Sequence, residues 1–146
     1  MLVVFAGPPG SGKTALARAV AEEAAATYVA VDTVVEAMLR AGVAADPGAL
    51  APAGYVVAEA VAEDCLAAGG SVVVDARNPT EAHRERWRVL AERRAVPVLF
   101  VEVVGAAPPA GSYEPWRQPP LVIDNVGPLQ RHVKRVVAAM TAPGGG

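Results

Sequence analysis

Residues 7–14 read Gly7-Pro8-Pro9-Gly10-Ser11-Gly12-Lys13-Thr14. This stretch matches the pattern G-x-x-x-x-G-K-[ST], in which backbone N–H groups surround the phosphate oxygens of a nucleotide. In such a loop the lysine, here Lys13, reaches the β and γ phosphates, and the hydroxyl of Thr14 holds Mg²⁺. We therefore expect residues 7–14, the phosphate loop, to bind a nucleoside triphosphate together with Mg²⁺.

The segments on either side of the phosphate loop support this interpretation. The apolar run 2–6 is typical of a buried strand, and residues 13–26 have the pattern of a helix. A strand, a glycine-rich loop and a helix in this order place the free N–H groups of the helix N-terminus at the anion. This context disfavours the alternative of a flexible glycine turn without a ligand.

Length and composition indicate one α/β domain. The chain has 146 residues, of which 53% are hydrophobic, and we expect a single domain over residues 1–142 followed by a flexible tail, 143–146. No apolar stretch is long enough to span a bilayer, and Met1 leads directly into a strand, so we expect no membrane segment and no signal peptide. The single cysteine, Cys65, is consistent with a cytoplasmic location.

Strands and helices alternate along the whole sequence. The pattern predicts five strands, near residues 2–6, 27–31, 71–74, 97–104 and 121–123. It predicts five helices, near residues 13–26, 33–40, 49–68, 79–94 and 128–140. The strands are mostly continuous apolar runs, so we expect a five-stranded parallel sheet with helices on both faces, the three-layer α/β fold of phosphate-loop nucleotide-binding proteins.

Several polar residues are expected to be structural or solvated. The order Asn78-Pro79 predicts that Asn78 caps the helix that follows and that Pro79 is its first residue. His83 and His132 lie among charged residues and lack metal-ligand spacing, so both are expected at the surface. The arginines within residues 84–88 alternate with acidic or apolar residues, which is typical of a solvated helix face.

Three aspartates follow predicted strands, and ligands of open parallel sheets bind at the carboxyl ends of the strands. Asp75 is expected to hold Mg²⁺ beside Thr14; the alternative is that it only caps a loop. Asp32 is expected to take the proton of an acceptor hydroxyl or to orient it, and the alternative is an N-cap for a helix that begins at Thr33. Asp124 is interpreted as structural.

The chain resembles the small P-loop kinases grouped as AAA-type ATP-binding proteins, relatives of polynucleotide 5′-hydroxyl kinase, gluconate kinase and chloramphenicol phosphotransferase. The resemblance rests on GPPGSGKT (7–14), VAVD (29–32), VVVDARNP (72–79), YEPW (113–116) and LVID (121–124). It implies ATP and Mg²⁺ as cofactors and phosphoryl transfer to a hydroxyl. It also implies that Lys13 and Thr14 contact phosphate and Mg²⁺, that Asp32 is the acceptor-side carboxylate and that Asp75 is the strand-ending acid.

The chain departs from these kinases between the fourth and fifth strands, where they carry a helical lid with arginines. Here residues 105–120 hold five prolines and two glycines, and proline at that density does not form a lid helix. We therefore expect the lid to be missing. An arginine for the transferred phosphoryl group would then be Arg77, Arg117 or a residue supplied by a second copy of the chain or a partner protein.

The acceptor is expected to be a small molecule. Relatives that bind polynucleotide ends carry arginine three residues after the acceptor aspartate, where this chain has Val35, and the net charge of −2 also disfavours nucleic acid. An apolar segment holding Met38, Leu39, Leu50 and Tyr55 suggests an uncharged or partly apolar alcohol.

Two further questions stay open at this stage. Tyr113 and Trp116 either stack on adenine or fix a proline-rich segment to the body of the protein. The missing lid keeps a second function open, a non-catalytic or weakly hydrolytic nucleotide-binding module. A GTP switch is disfavoured because the sequence has no guanine-recognition motif.

Overall fold

The computed structural model describes residues 1–105 and 113–143. These residues form five strands, β1 (Leu2–Ala6), β2 (Thr27–Ala30), β3 (Val72–Asp75), β4 (Val98–Val103) and β5 (Leu121–Ile123). They also form five helices, α1 (Lys13–Glu23), α2 (Val31–Arg40), α3 (Pro47–Ala67), α4 (Glu81–Arg93) and α5 (Leu129–Thr141). Every expected strand and helix is present, with ends that differ by a few residues.

The five strands form one parallel sheet in the order β2-β3-β1-β4-β5. The predicted α/β fold is therefore confirmed, with β1 at the centre of the sheet. All strands run in one direction, so their carboxyl ends lie along a single edge. The phosphate loop leaves β1 at that edge, and Asp75 is the last residue of the neighbouring strand β3.

Alternating side chains of the sheet contribute to two separate cores. Leu2 and Val4 belong to a cluster formed with α2, α3 and α4, whereas Val3 and Phe5 belong to a cluster formed with α1 and α5. All four side chains are completely buried. The central strand thus separates two helical layers, as a three-layer fold requires.

The start of α4 differs from the expectation. Thr80, and not Asn78, is the N-cap, and its hydroxyl accepts a hydrogen bond from the His83 N–H at 3.3 Å. Asn78 is fully buried with a left-handed φ of 47°, a conformation that asparagine tolerates better than most residues. Its amide donates to the Phe5 carbonyl (2.8 Å) and accepts from Trp87 Nε1 (2.9 Å). Asn78 therefore joins β1 to α4 instead of capping the helix.

Two further predictions about polar residues are wrong. His132 is buried, because α5 packs on the sheet through His132, Val133 and Val136, and its Nε2 lies 2.9 Å from the Val126 carbonyl oxygen. Arg84 is completely buried rather than solvated. It lies on the same side of α4 as Trp87, where the segment that precedes β5 covers it.

Arg84 fixes residues 113–116 to the body of the protein. Its guanidinium donates to the carbonyls of Glu114 (2.8 Å) and Pro115 (3.2 Å) and lies 3.9 Å from the centre of the Trp116 ring. Trp116 also packs edge-on against Phe100, with ring centres 5.5 Å apart. This confirms that Trp116 fixes the segment to the body. Residues 113–120 contain no helix, as expected for a chain without the lid. Residues 106–112 of the same segment and residues 144–146 of the tail lie outside the described residues.

Replacing Arg84 with methionine is expected to destabilise the protein by roughly 3–5 kcal/mol, because the buried Asn78 carbonyl and the carbonyls of Glu114 and Pro115 would lose a charged donor and Glu81 would lose one of its two arginine partners. Chemical denaturation followed by circular dichroism would measure the change. Arg94→Met is the matched control, since Arg94 is an exposed arginine at the end of the same helix. Equal stability of the two variants would contradict a stabilising role for Arg84.

Candidate active site

The phosphate loop is held in shape by the turn that follows β5. The side-chain amide of Asn125 donates to the Ser11 carbonyl at 2.7 Å. Gly12 has a φ of 83°, and a Cβ atom at this position would collide with the same Asn125 amide. Glycine is therefore required at position 12 by both backbone conformation and packing. The loop leads directly into α1, whose N-terminal N–H groups point to the space where a phosphate would bind.

The carboxylate of Asp75 is the centre of the polar contacts behind the loop. Lys13 Nζ forms a buried ion pair with Asp75 Oδ1. The Thr14 hydroxyl donates to Asp75 Oδ2 at 2.8 Å, and the Tyr28 hydroxyl donates to the same oxygen at 2.6 Å. The structure thus brings together three residues that the sequence nominated, Lys13, Thr14 and Asp75, and adds Tyr28.

The protonation states follow from these contacts. Burial acts to raise the pKa of Asp75, but the charge and hydrogen bond of Lys13 and the hydroxyls of Tyr28 and Thr14 outweigh it and hold the pKa below its usual value. Burial and the hydrogen bond to Asp75 raise the pKa of Tyr28 to about 12. At neutral pH Asp75 is therefore an anion and Tyr28 a hydrogen-bond donor.

The side chains around Thr14 fit a magnesium ion that is bound mainly through a nucleotide. Within residues 1–105 and 113–143 no three His, Cys, Asp or Glu side chains come together as a metal site. Mg²⁺ in nucleotide enzymes usually takes one or two protein ligands, with phosphate oxygens and water completing its shell. The Thr14 hydroxyl and the Asp75 carboxylate, already adjacent at the base of the loop, are the residues that would hold such an ion directly or through water.

Two neighbouring cavities share Asp32 and Arg77, and one of them is lined by the phosphate loop. The loop cavity, about 350 Å³, is lined by Pro8, Pro9, Gly10, Gly12, Lys13, Thr14, Ala15, Asp32 and Arg77. The α2–α3 cavity, about 270 Å³, is lined by Val31, Asp32, Val35, Pro47, Gly48, Ala51, Tyr55 and Arg77. Asp32 and Arg77 line both cavities. A phosphate bound in the loop cavity and a molecule bound between α2 and α3 would therefore both lie next to these two side chains.

Asp32 reaches this position because α2 begins earlier than expected. The helix starts at Val31, its N-cap is Ala30, and no side chain caps it. The alternative interpretation of Asp32 as an N-cap is therefore wrong, and the exposed Asp32 lines the two cavities. Asp124, by contrast, accepts a hydrogen bond from the Val126 N–H at 3.2 Å, which agrees with its structural interpretation.

The structure distinguishes between Arg77 and Arg117, the two arginines that the sequence offered equally for a phosphate contact. Arg77 lies two residues beyond β3; its carbonyl accepts from the Gly7 N–H at 3.1 Å, and its side chain lines both cavities. Arg117 is exposed and lines neither cavity. Of the two, Arg77 is the arginine that the fold places beside the phosphate loop.

The lining of the α2–α3 cavity was only partly anticipated. Among the four residues expected there, only Tyr55 lines the cavity. Leu50 of α3 belongs to the core instead, and Met38 and Leu39 of α2 pack against the same core. The cavity is lined by the first turns of α2, where Val31 and Val35 are one helical turn apart, so its wall is apolar as expected although the residues differ.

Two residues of the site, Tyr28 and Asn125, were not found from the sequence. Tyr28 lies two residues before Ala30, the residue of β2 that pairs with Asp75 of β3, so both side chains emerge on the same face of the sheet. Asn125 follows β5 at the opposite edge of the sheet. Both positions depend on strand order, which the sequence alone does not supply.

A family model described as an AAA domain matches residues 2–110. Among solved structures, a candidate kinase from Chloroflexus aurantiacus is similar with a TM-score of 0.79 and 17% identity, covering 95% of this chain and 94% of that one. The APS kinase of Mycobacterium tuberculosis in complex with AMPPNP and APS is similar with a TM-score of 0.74 and 19% identity, covering 97% of both chains. A gluconokinase from Sinorhizobium meliloti is similar with a TM-score of 0.60 and 18% identity, covering 93% and 89%.

No curated protein sequence matches the chain at a significant level. Within the described residues no helix combines the length and the apolar character needed to cross a membrane. The family model spans most of the sequence, and the solved structures share the sheet and helices along nearly the whole chain. The chain belongs to the AAA domain family and has the fold of the small P-loop kinases.

Proposed function

We propose that the protein transfers the γ-phosphoryl group of ATP to a hydroxyl group of a small molecule that binds between α2 and α3. One observation carries the proposal: Asp32 and Arg77 line both the loop cavity and the α2–α3 cavity. A phosphoryl group leaving the loop would therefore meet a carboxylate and a guanidinium at the entrance to the second cavity. Those are the two kinds of group that phosphoryl transfer to an alcohol requires.

On the donor side, the phosphate loop and Lys13 would hold the triphosphate. Lys13 is paired with Asp75 and would turn to the β and γ phosphates, while Thr14 and Asp75 would hold Mg²⁺. The ion supplies charge neutralisation for the β and γ oxygens when it is bound. ATP is the proposed nucleotide because the sequence has no guanine motif and the similar APS kinase was solved with the ATP analogue AMPPNP.

On the acceptor side, the α2–α3 cavity would hold the alcohol. Its volume of about 270 Å³ is near the lower end for ligand pockets, which supports a small molecule and not a polymer. Val31, Val35, Pro47 and Ala51 give it a largely apolar wall, and Tyr55 closes one side. An alcohol with a compact, partly apolar body fits this wall better than a charged one.

The transfer itself follows from these positions. The hydroxyl oxygen of the acceptor forms a bond to the γ-phosphorus while the bond from that phosphorus to the β–γ bridging oxygen breaks and ADP leaves. The hydroxyl proton passes to the Asp32 carboxylate, which is exposed to both cavities. Arg77 would neutralise the charge that spreads over the transferred oxygens, the role that lid arginines have in the kinases that this chain resembles.

Replacing Asp32 with asparagine tests the acceptor role. We expect acceptor-dependent ATP consumption to fall by about 10²- to 10³-fold, because asparagine cannot take the proton. A panel of nucleosides, sugars and hydroxylated natural products would be screened first for compounds that accelerate ADP release. Glu36→Gln, a change of the same chemistry at an exposed position on α2, is the control.

A second candidate is a nucleotide-binding module with little turnover of its own. It is favoured by the segment before β5, where residues 113–120 form no helix and the exposed Arg117 lines neither cavity. In that case ATP would bind with Lys13-dependent affinity, no compound of the panel would accelerate ADP release, and activity would require an arginine from a second copy or a partner protein. Acceleration by any alcohol, lost in Asp32→Asn, would exclude this candidate.

A further inference from the structure

The carboxylate of Asp75 receives hydrogen bonds from two different parts of the chain. Lys13 and Thr14 belong to the phosphate loop and the first turn of α1, and Tyr28 belongs to β2. Thr14 and Tyr28 share one oxygen, Oδ2, with O···O distances of 2.8 and 2.6 Å. The three donors together fix both the position and the rotation of the carboxylate.

Two of these donors have another task when a nucleotide binds. Under the proposed function Lys13 turns to the phosphates and Thr14 to Mg²⁺, so both exchange their bonds to Asp75 for bonds to the ligand. Tyr28 belongs to β2, outside the phosphate loop, and the proposed function gives it no bond to a phosphate or to the ion. Its hydroxyl is the donor that can stay on Asp75 throughout.

The sheet fixes where this hydroxyl lies. Tyr28 and Ala30 of β2 pair with Val73 and Asp75 of β3 in a parallel register, so the tyrosine cannot follow a movement of the phosphate loop. The Arg18 guanidinium covers the Tyr28 ring at 5.3 Å from its centre. Tyr28 therefore reaches Asp75 from a fixed position within the sheet.

We infer that Tyr28 is a positioning residue that keeps the Asp75 carboxylate turned toward the magnesium position while Lys13 and Thr14 engage the nucleotide. The inference rests on the proposed function, because it assumes that Asp75 and Thr14 hold the ion that accompanies ATP. Residues that orient a metal ligand typically contribute about 10- to 100-fold in metal affinity or activity. Tyr28 would act through Asp75 and would not touch the reacting atoms.

The test measures metal binding directly and does not depend on turnover. Mn²⁺ replaces Mg²⁺, and its binding to the full chain in the presence of saturating ADP is followed by electron paramagnetic resonance. Tyr28→Phe removes only the hydroxyl, and we expect it to weaken Mn²⁺ binding by about 10-fold. ADP affinity in the presence of EDTA should change by less than about twofold, which also shows that the variant is folded.

Two comparisons separate positioning from a general structural effect. Arg18→Met removes the charge over the ring but keeps the hydroxyl, so it should weaken Mn²⁺ binding less than Tyr28→Phe does. In an Asp75→Asn background, Tyr28→Phe should cause no further loss, because its effect passes through the carboxylate.

Three results would overturn the inference. If the parent protein binds Mn²⁺ and Tyr28→Phe binds it equally well, Tyr28 has no positioning role, although the proposed metal site stands. If Tyr28→Phe weakens binding by the same factor with and without the Asp75 carboxylate, the hydroxyl acts in another way. Failure of the parent·ADP complex to bind Mn²⁺ would overturn the metal site itself and, with it, the role of Tyr28.

Discussion

Replacing Arg77 with methionine is expected to slow phosphoryl transfer by about 10³- to 10⁵-fold, the effect that loss of a catalytic arginine has in related chemistry. The side chain lines both cavities and is the arginine that the fold places beside the phosphate loop, whereas Arg117 lies outside both. Its charge matters most when negative charge spreads over the transferred oxygens, so ATP affinity should change by less than about tenfold. The backbone contact from Gly7 to the Arg77 carbonyl does not involve the side chain and should persist.

Single-turnover measurements with an acceptor from the screen would separate the rate of transfer from ATP binding. Arg94→Met, at an exposed position on the far end of α4, controls for the loss of one positive charge. If Arg117→Met slowed phosphoryl transfer while Arg77→Met stayed fully active, the assignment of Arg77 to the transferred phosphoryl group would be contradicted. Restoration of activity only in mixtures of copies would point instead to an arginine supplied by a second molecule.

Replacing Lys13 with methionine is expected to lower both nucleotide binding and stability. The nucleotide effect arises because the Lys13 ammonium group would contact the β and γ phosphates. We expect kcat/KM for ATP to fall by about 10³-fold. The stability effect arises because the buried Asp75 would lose its charged partner. Breaking a buried ion pair by removing one side typically costs about 3 kcal/mol or more.

Urea denaturation without nucleotide would measure the stability effect, and calorimetry with an ATP analogue would measure the binding effect. The double variant Lys13→Met with Asp75→Asn removes the unpaired charge, so it should recover much of the stability without recovering nucleotide binding. An unchanged stability of Lys13→Met would show that the pair contributes nothing to folding. Undiminished binding would contradict the role of the loop.

The sequence was sufficient for the fold because the fold depends on strong local patterns. The apolar run of β1, the glycines of residues 7–14 and the helix after them define the central strand and its loop without any long-range information. The same is true of Asp75, which ends a run of three valines. Alternation of strands and helices then determines a parallel sheet, and the structure confirms it.

The parts that sequence did not predict depend on long-range contacts. Arg84 has the local pattern of a solvated arginine, and only the segment around Trp116, some thirty residues later, buries it. Asn78 stands before Pro79 as a helix cap would, but its side chain is hydrogen-bonded to the Phe5 carbonyl and to Trp87 Nε1 and therefore does not cap the helix. Arg77 and Arg117 could not be ranked as phosphate contacts, because the ranking depends on which of their two segments lies beside residues 7–14.

The hydrogen bond from Asn125 to Ser11 joins the phosphate loop, which follows the first strand, to the turn that follows the last strand. A movement of the phosphate loop that displaces Ser11 or Gly12 must also displace the turn after β5, because the Asn125 amide contacts both. Val126, the next residue, is 67% exposed, so a probe attached there would lie outside the packed core. We therefore expect a probe at position 126, more than a hundred residues away in the chain, to report any movement of residues 7–14 that accompanies nucleotide binding.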